Sequence, residues 1–248
     1  MPGNVVVLLQ SRKPPLDGRA GVAILHFRMN VREKGQRPRG RPPEGDKQRQ
    51  ILDAGLGLFA ERGYHGTAVP AVAEAAGVGT GTIYHYFENK EQLVNAVFRD
   101  AKSRMRQALF HGLVMNAEPR DMFLEIWRRL ARFARTDPIA FQFLEMQDHV
   151  PYLDEESVAL EREVLAPLWF AGRAISEGGQ KRVLPAETLM ALVWGALVGL
   201  VKAERLGYLS VGDETLARAG EAAWAMVAEG AGMNVGASRR TPRPRARS

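Results

Sequence analysis

The chain has 248 residues, of which 46% are hydrophobic and 25% charged, the balance of a soluble globular protein with enough apolar mass for a sizeable core. It has no cysteine, which excludes disulfides, thiolate zinc sites and a cysteine nucleophile and suits a reducing, cytoplasmic location. The net charge of +6 is concentrated, with 8 basic against 3 acidic residues at 28–49 and 5 against none at 239–248, so a polyanion partner at one end fits the distribution.

The early apolar run at residues 5–9 is too short for a signal-peptide core. No segment approaches the roughly 20 uninterrupted apolar residues of a membrane span, so no membrane association is expected. Residues 1–44 are rich in Pro, Gly and Arg without periodicity and read as disordered until bound to something. Met29 stands just ahead of the basic arm and is read as the translation start, residues 1–28 being a mis-called extension. The arm contains RPRGRPP at 37–43. Its alternating Pro and Gly forbid a helix and leave Arg37, Arg39 and Arg41 free to reach an anion.

From Asp46 the period is helical. Ile51, Ala54, Leu58 and Phe59 make one apolar face of a first helix that ends at Gly63. Thr67 offers an N-cap to a second, short helix carrying Val69, Val72, Ala73 and Ala76 on one face. The turn Gly77-Val78-Gly79 leads into a third helix, Thr80–Tyr86, and Asn89 with Gln92 reads as a variant capping box opening a long fourth. Helices are then expected near 119–136, 138–148, 154–178, 185–206 and 213–229, with breaks at Pro119, Pro138, Pro151, Gly178-Gly179 and Gly212.

The fold class is therefore all-α, with about nine helices. A small N-terminal three-helix unit at 45–92, containing a helix-turn-helix, precedes a larger helical bundle at 93–232, and a basic disordered tail follows at 233–248.

The third helix divides into two chemically different faces. Val78, Ile83 and Phe87 can point inward, while Thr80, Gly81, Thr82, Tyr84, His85 and Tyr86 are left toward solvent. Hydroxyls, a ring nitrogen and a bare glycine backbone have no packing purpose there, but they suit a helix laid into the DNA major groove.

ERGY at 61–64, Thr67 and AEAAGVGTGTIYHYFENKEQL at 73–93 resemble the tetracycline-repressor-like (TetR) family of bacterial transcription regulators. The resemblance covers residues 46–100; beyond them it lies only in length and helical character. It implies that Thr80, Gly81, Thr82, Tyr84 and His85 face bases and phosphates. It also implies that Tyr86 meets phosphate, that Lys90 meets the backbone at the start of the fourth helix, and that Thr67 touches phosphate from the second. Gly79 and Thr80 depart from the serine and basic residue common at those places. The Pro-Arg-Gly-Arg-Pro core looks like an AT-hook. Arg39 and Arg41 are expected in the adjacent minor groove, whose narrow A·T stretches concentrate negative potential, with Arg37 on phosphate.

In the bundle, Ala191, Gly195, Gly199 and Ala203 recur every four residues, and Leu216, Gly220, Ala223 and Val227 form a second stripe. Small residues let helices approach closely, so the last two helices are expected to form a homodimer surface that spaces two recognition helices for a palindromic operator. An aromatic-rich middle suggests a pocket for a small apolar or aromatic effector, unidentified in the sequence, lined by Trp127, Phe141, Met146, His149, Tyr152, Trp169 and Trp194, with Gln147 as a further polar anchor. Effector binding is expected to push the fourth helix and so respace the recognition helices. Asp148, His149, Asp154, Glu155 and Glu156 match no metal-ligand spacing, and no nucleophile–base pair appears. No metal, no cofactor and no enzyme are expected. The function expected is a ligand-responsive, dimeric repressor bound to double-stranded DNA; the alternative is an architectural protein of A·T-rich DNA without an effector.

Overall fold

In a computed structural model the structure describes residues 44–114, 118–177 and 184–232. The arm residues Arg37, Arg39 and Arg41, and the basic tail, lie outside them. The described residues form nine α-helices and no strand, in the order α1 (Glu44–Gly66), α2 (Val69–Ala75), α3 (Thr80–Tyr86), α4 (Lys90–Phe110), α5 (Pro119–Thr136), α6 (Pro138–Glu145), α7 (Glu155–Glu177), α8 (Ala186–Arg205) and α9 (Asp213–Gly230).

Each break has a local cause. Gly63 has φ 70°, which kinks α1 where its apolar face ends, and Gly77 has φ 67° in the turn between α2 and α3; both are left-handed conformations that glycine adopts without a Cβ penalty. Pro119 and Pro138 sit in the first turns of α5 and α6, where the missing N–H has no intrahelical partner to lose. Asp137 caps α6 by accepting the Ala140 N–H. Asn89 caps α4, taking the Gln92 N–H at 2.8 Å, and the Gln92 amide oxygen reaches back to the Glu88 N–H at 2.9 Å, one residue further out than in a standard capping box. The expected cap of α2 is different: the N-cap is Ala68, with no side-chain bond, because the Thr67 hydroxyl turns inward.

The fourth helix is the spine. It buries Leu93, Val94, Val97, Phe98, Ala101, Met105 and Leu109 and packs against α1, α5, α6 and α7. One continuous core runs from Ile51 and Phe59 on α1, through Ile83 on α3 and Phe98 on α4, to Phe141 and Phe143 on α6. Each fully buried large side chain of this kind is worth roughly 1.5–3 kcal/mol, so no step in packing separates the small N-terminal unit from the bundle.

α8 is the exception to burial. By length and composition alone it could cross a membrane, and only 17% of it is buried inside the chain. Charged Glu187, Lys202, Glu204 and Arg205 mark its two ends, and its middle is an apolar face open on the outside.

Candidate nucleic-acid interface

The third helix is held by its apolar side. Ile83 is 1% exposed and Phe87 5%, and Val78 packs on the same core. That anchoring leaves Gly81, Tyr84 and His85 exposed and Thr80, Thr82 and Tyr86 half-buried. Tyr84 is 51% exposed, a ring that packs against nothing worth the name of a core. A Cβ on Gly81 would meet no atom within 4 Å, so the backbone there is open to whatever approaches. His85 and Tyr86 meet edge-to-face, with ring centroids 5.4 Å apart.

Lys90 stands at the start of α4 beside this face. Its ammonium lies 4.3 Å from the centroid of the Tyr64 ring, and burial lowers its pKa below that of a free lysine. Tyr64 in turn stacks on Tyr152 at 4.5 Å and 22°.

Thr67 is a correction. It is 2% exposed, and its hydroxyl donates to the Gly63 carbonyl at 2.8 Å, with Leu58 O 3.2 Å away. It closes the end of α1, and its single hydroxyl proton is not available to a phosphate.

The expected effector residues divide into two places. An apolar cavity of about 80 Å³ lies between α5, α8, α9 and one turn of α7, and Trp127 and Trp194 line it together with Phe123, Leu189, Met190 and Val227. Among the described residues its walls are apolar side chains. The two indole N–H groups are already used, Trp127 on Leu216 O at 3.0 Å and Trp194 on a Glu145 carboxylate oxygen at 2.6 Å. Phe141, Met146, His149 and Tyr152 are not in its lining; Trp169 stands in α7, but its side chain is outside the described residues.

Tyr152, through its stack on Tyr64, and Gln147 instead join the bundle to the N-terminal unit, and His149 braces Tyr152 from within the bundle. Gln147 donates to Phe59 O at 2.7 Å and Ala60 O at 2.9 Å. Asn95 donates to Tyr152 O at 2.8 Å. His149 Nε2 lies 2.6 Å from Phe143 O, and Nδ1 lies 2.6 Å from the Tyr152 hydroxyl. A carbonyl only accepts, so Nε2 carries the proton and Nδ1 accepts from Tyr152. Burial lowers the His149 pKa, against an opposing pull from the Phe143 carbonyl, and pushes the Tyr152 hydroxyl up to about 12. Both are therefore neutral structural groups near pH 7. Buried polar residues between short motifs carry this signal in the sequence, but nothing in the spacing separates an effector anchor from an internal bridge.

The small-residue stripes also divide. Ala191, Gly195 and Gly199 are exposed, Ala203 is half-buried, and a Cβ on Gly195 or Gly199 would meet nothing. On α9, by contrast, Leu216, Gly220, Ala223 and Val227 are buried within the chain. A Cβ on Gly220 would lie 2.8 Å from Trp127 Cδ1. The α9 stripe thus serves packing on α5, and only the α8 stripe is free to meet another chain. Among the described residues no group of His, Asp and Glu is placed to hold a metal ion.

Comparison with known proteins matches these two parts in turn. The family model of bacterial regulatory proteins of the tetR family covers residues 51–97, and that of the tetracyclin repressor-like C-terminal domain covers residues 98–229. The repressor AcnR of Corynebacterium glutamicum is 27% identical over 65% of this chain and 83% of its own length. The regulator BetI of Escherichia coli is 40% identical over 27% of this chain and 34% of its own, so that likeness is confined to the DNA-binding end. A TetR-family regulator from Marinobacter aquaeolei VT8 superposes with a TM-score of 0.66 at 25% identity, over 73% of this chain and 95% of the other. Bacillus subtilis FadR, solved in complex with stearoyl-CoA, shares the fold with a TM-score of 0.54 at 21% identity, over 73% and 98%. The chain belongs to the tetR family of bacterial regulatory proteins and is a DNA-binding transcriptional regulator with a helix-turn-helix, not an enzyme.

Proposed function

We propose that the chain works in the cytoplasm as a homodimeric repressor that binds a palindromic operator and is released by a small apolar effector. The observation that carries the reading is the two-sided α3: Ile83 and Phe87 fix the helix, and Gly81, Tyr84 and His85 are exposed on its other side with Thr80 and Thr82 half-buried beside them. In a major groove such a face supplies hydroxyl and imidazole groups to base edges and phosphates. Tyr86 and Lys90 take phosphates beside it, and Arg39 and Arg41 of the arm take the adjacent minor groove, with Arg37 on phosphate.

Dimerisation supplies the spacing, since two recognition helices about 34 Å apart read successive turns of one face of the duplex. The open face of α8, with Ala191, Gly195, Gly199 and Ala203 along it, is the surface of close approach. The effector enters the cavity at Trp127 and Trp194. Because the walls carry no unengaged polar group among the described residues, the part of the effector held there is a hydrocarbon or aromatic group and not a charged one. FadR's stearoyl-CoA is a compatible chemistry on a related fold, but the apolar lining here carries the argument. Release requires that the effector bind the DNA-incompetent arrangement of α4 more tightly than the competent one.

The test is selection of bound sequences from random duplex DNA at about 150 mM salt. A recovered palindrome with A·T-rich flanks supports the dimeric repressor, with specific affinity roughly 10³ or more above bulk DNA. A·T richness without a palindrome, at a small ratio to bulk DNA, replaces it with an architectural protein.

A further inference from the structure

Tyr64 belongs to none of the surfaces above, yet it makes two contacts that connect them. Its ring has the Lys90 ammonium 4.3 Å from its centroid and the Tyr152 ring stacked at 4.5 Å. The ring is half-buried at the edge of the core, just beyond the kink at Gly63, so its direction is set by the backbone break, by the core edge and by the stack on Tyr152.

Tyr152 is itself fixed at several points. Its hydroxyl donates to His149 Nδ1 and its carbonyl accepts from Asn95 on α4. His149 donates to the last turn of α6 through Phe143 O. Asn95 is held in turn by the Asp154 N–H on its amide oxygen at 2.9 Å. A side chain so restrained holds the ring stacked on it, and a cation attracted to the face of that ring loses freedom as well.

We propose that Tyr64 is the positioning residue for Lys90: it holds the ammonium beside α3 ready for a DNA phosphate, and Tyr152 holds Tyr64 at the angle that this requires. The proposal rests on the reading of Lys90 as a phosphate contact. An unrestrained lysine surrenders rotamer freedom when it docks; over the Tyr64 ring that freedom is given up beforehand, and the remaining N–H groups are left for phosphate oxygens. The same contacts make Lys90 sensitive to the α6–α7 segment: a shift of Tyr152 moves the ring and with it the cation. This adds to the proposed function a specific place at which the state of the bundle reaches the DNA backbone.

The experiment uses the full chain and a duplex recovered from the random pool, with affinity measured from about 50 to 300 mM salt for the wild type and for Tyr64→Leu, Tyr64→Phe, Lys90→Gln, Tyr152→Leu and the Tyr64→Leu/Lys90→Gln pair. Lys90→Gln lowers the salt slope by about one. Tyr64→Leu weakens binding about two- to fivefold, the size of a half-exposed cation–π contact, and shifts the slope in the same direction. It adds nothing further in the Lys90→Gln background. Tyr64→Phe keeps the ring and the affinity, and Tyr152→Leu follows Tyr64→Leu. Thermal unfolding of each variant separates loss of fold from loss of positioning, and Tyr64→Phe carries the decision if Tyr64→Leu is unstable. Additive losses from Tyr64→Leu and Lys90→Gln, or equal losses from Tyr64→Leu and Tyr64→Phe, overturn the proposal. An unchanged salt slope in Lys90→Gln overturns it while leaving the DNA-binding reading intact, and a wild type that retains no duplex overturns both.

Discussion

At the scale of single residues, the site depends on the contrast between neighbours. Ile83 is 1% exposed and Tyr84, the next residue, 51%, so one side chain holds α3 and the other is free to act. Tyr84→Ala should therefore leave thermal stability nearly unchanged while costing about 1–3 kcal/mol of specific DNA binding; a titration against the selected duplex in which affinity stays constant removes Tyr84 from the interface. His149 is the opposite case, a polar group used internally. Burial depresses its pKa, so the unfolded chain, with a histidine near about 6.5, takes up a proton that the folded one refuses. The stability contributed is complete above that unfolded value and is lost as pH falls toward the folded one. Glu145 has its pKa raised by burial and acts in the other sense, its contribution fading as pH rises, so the comparison must be between chains. Between pH 7 and pH 5, unfolding temperatures should fall more steeply for the wild type than for His149→Gln. Parallel curves would mean that His149 is not the group that titrates.

At the scale of elements, glycines separate packing from mere helix formation. Gly57, in the middle of α1, has nothing within 4 Å of where a Cβ would stand, whereas on Gly220 of α9 it would stand 2.8 Å from Trp127 Cδ1, and Trp127 is pinned by its bond to Leu216 O. Gly57→Ala should stabilise by about 0.5–1 kcal/mol through helix propensity. Gly220→Ala should destabilise by about 1–3 kcal/mol despite the same propensity gain, because the ring cannot yield without breaking that bond. Denaturant midpoints of the two variants check both signs, and a Gly220→Ala chain as stable as the wild type would show that α9 and α5 separate easily. The same pair of helices shows what a sequence can and cannot disclose. Helix positions followed from period, proline and glycine, and α5 begins and ends where Pro119 and Asp137 place it. The inward face of α3 was equally legible, since Ile83 and Phe87 at i and i+4 fix its orientation, but Tyr86, read as outward, is half-buried and packs against the core. The partner of a small-residue stripe was not: Gly195 and Gly220 look alike in sequence, and only the position of Trp127 assigns one to the interior. Thr67 and His149 escaped for a related reason, because a buried hydroxyl or imidazole differs from an exposed one in its acceptor and not in its spacing.

At the scale of the whole molecule, α8 carries an apolar surface that the described residues do not cover. Leu192 is 46% exposed, and beyond the helix Leu206, Tyr208 and Leu209 are also exposed, Tyr208 by 80%. An apolar face of this extent on an isolated chain favours association, and its small residues set the distance at which a second helix can settle. Gly195→Arg tests that use directly. Among the described residues nothing outside the local helix backbone lies within 4 Å of the added Cβ, and an exposed helical glycine replaced by arginine gains helix propensity of about 0.5–1 kcal/mol, so the single chain should fold at least as well as before. A guanidinium on the stripe nevertheless holds a partner helix away and would be desolvated if that helix closed on it. Sedimentation should show the wild type at twice the mass of one chain and Gly195→Arg at the mass of one. Affinity for a palindromic duplex should fall by about 10² or more, as the second half-site ceases to bind at high effective concentration, while affinity for an isolated half-site changes little. If Gly195→Arg sediments as the wild type does, the dimer is built on another face, and the apolar middle of α8 needs a different partner.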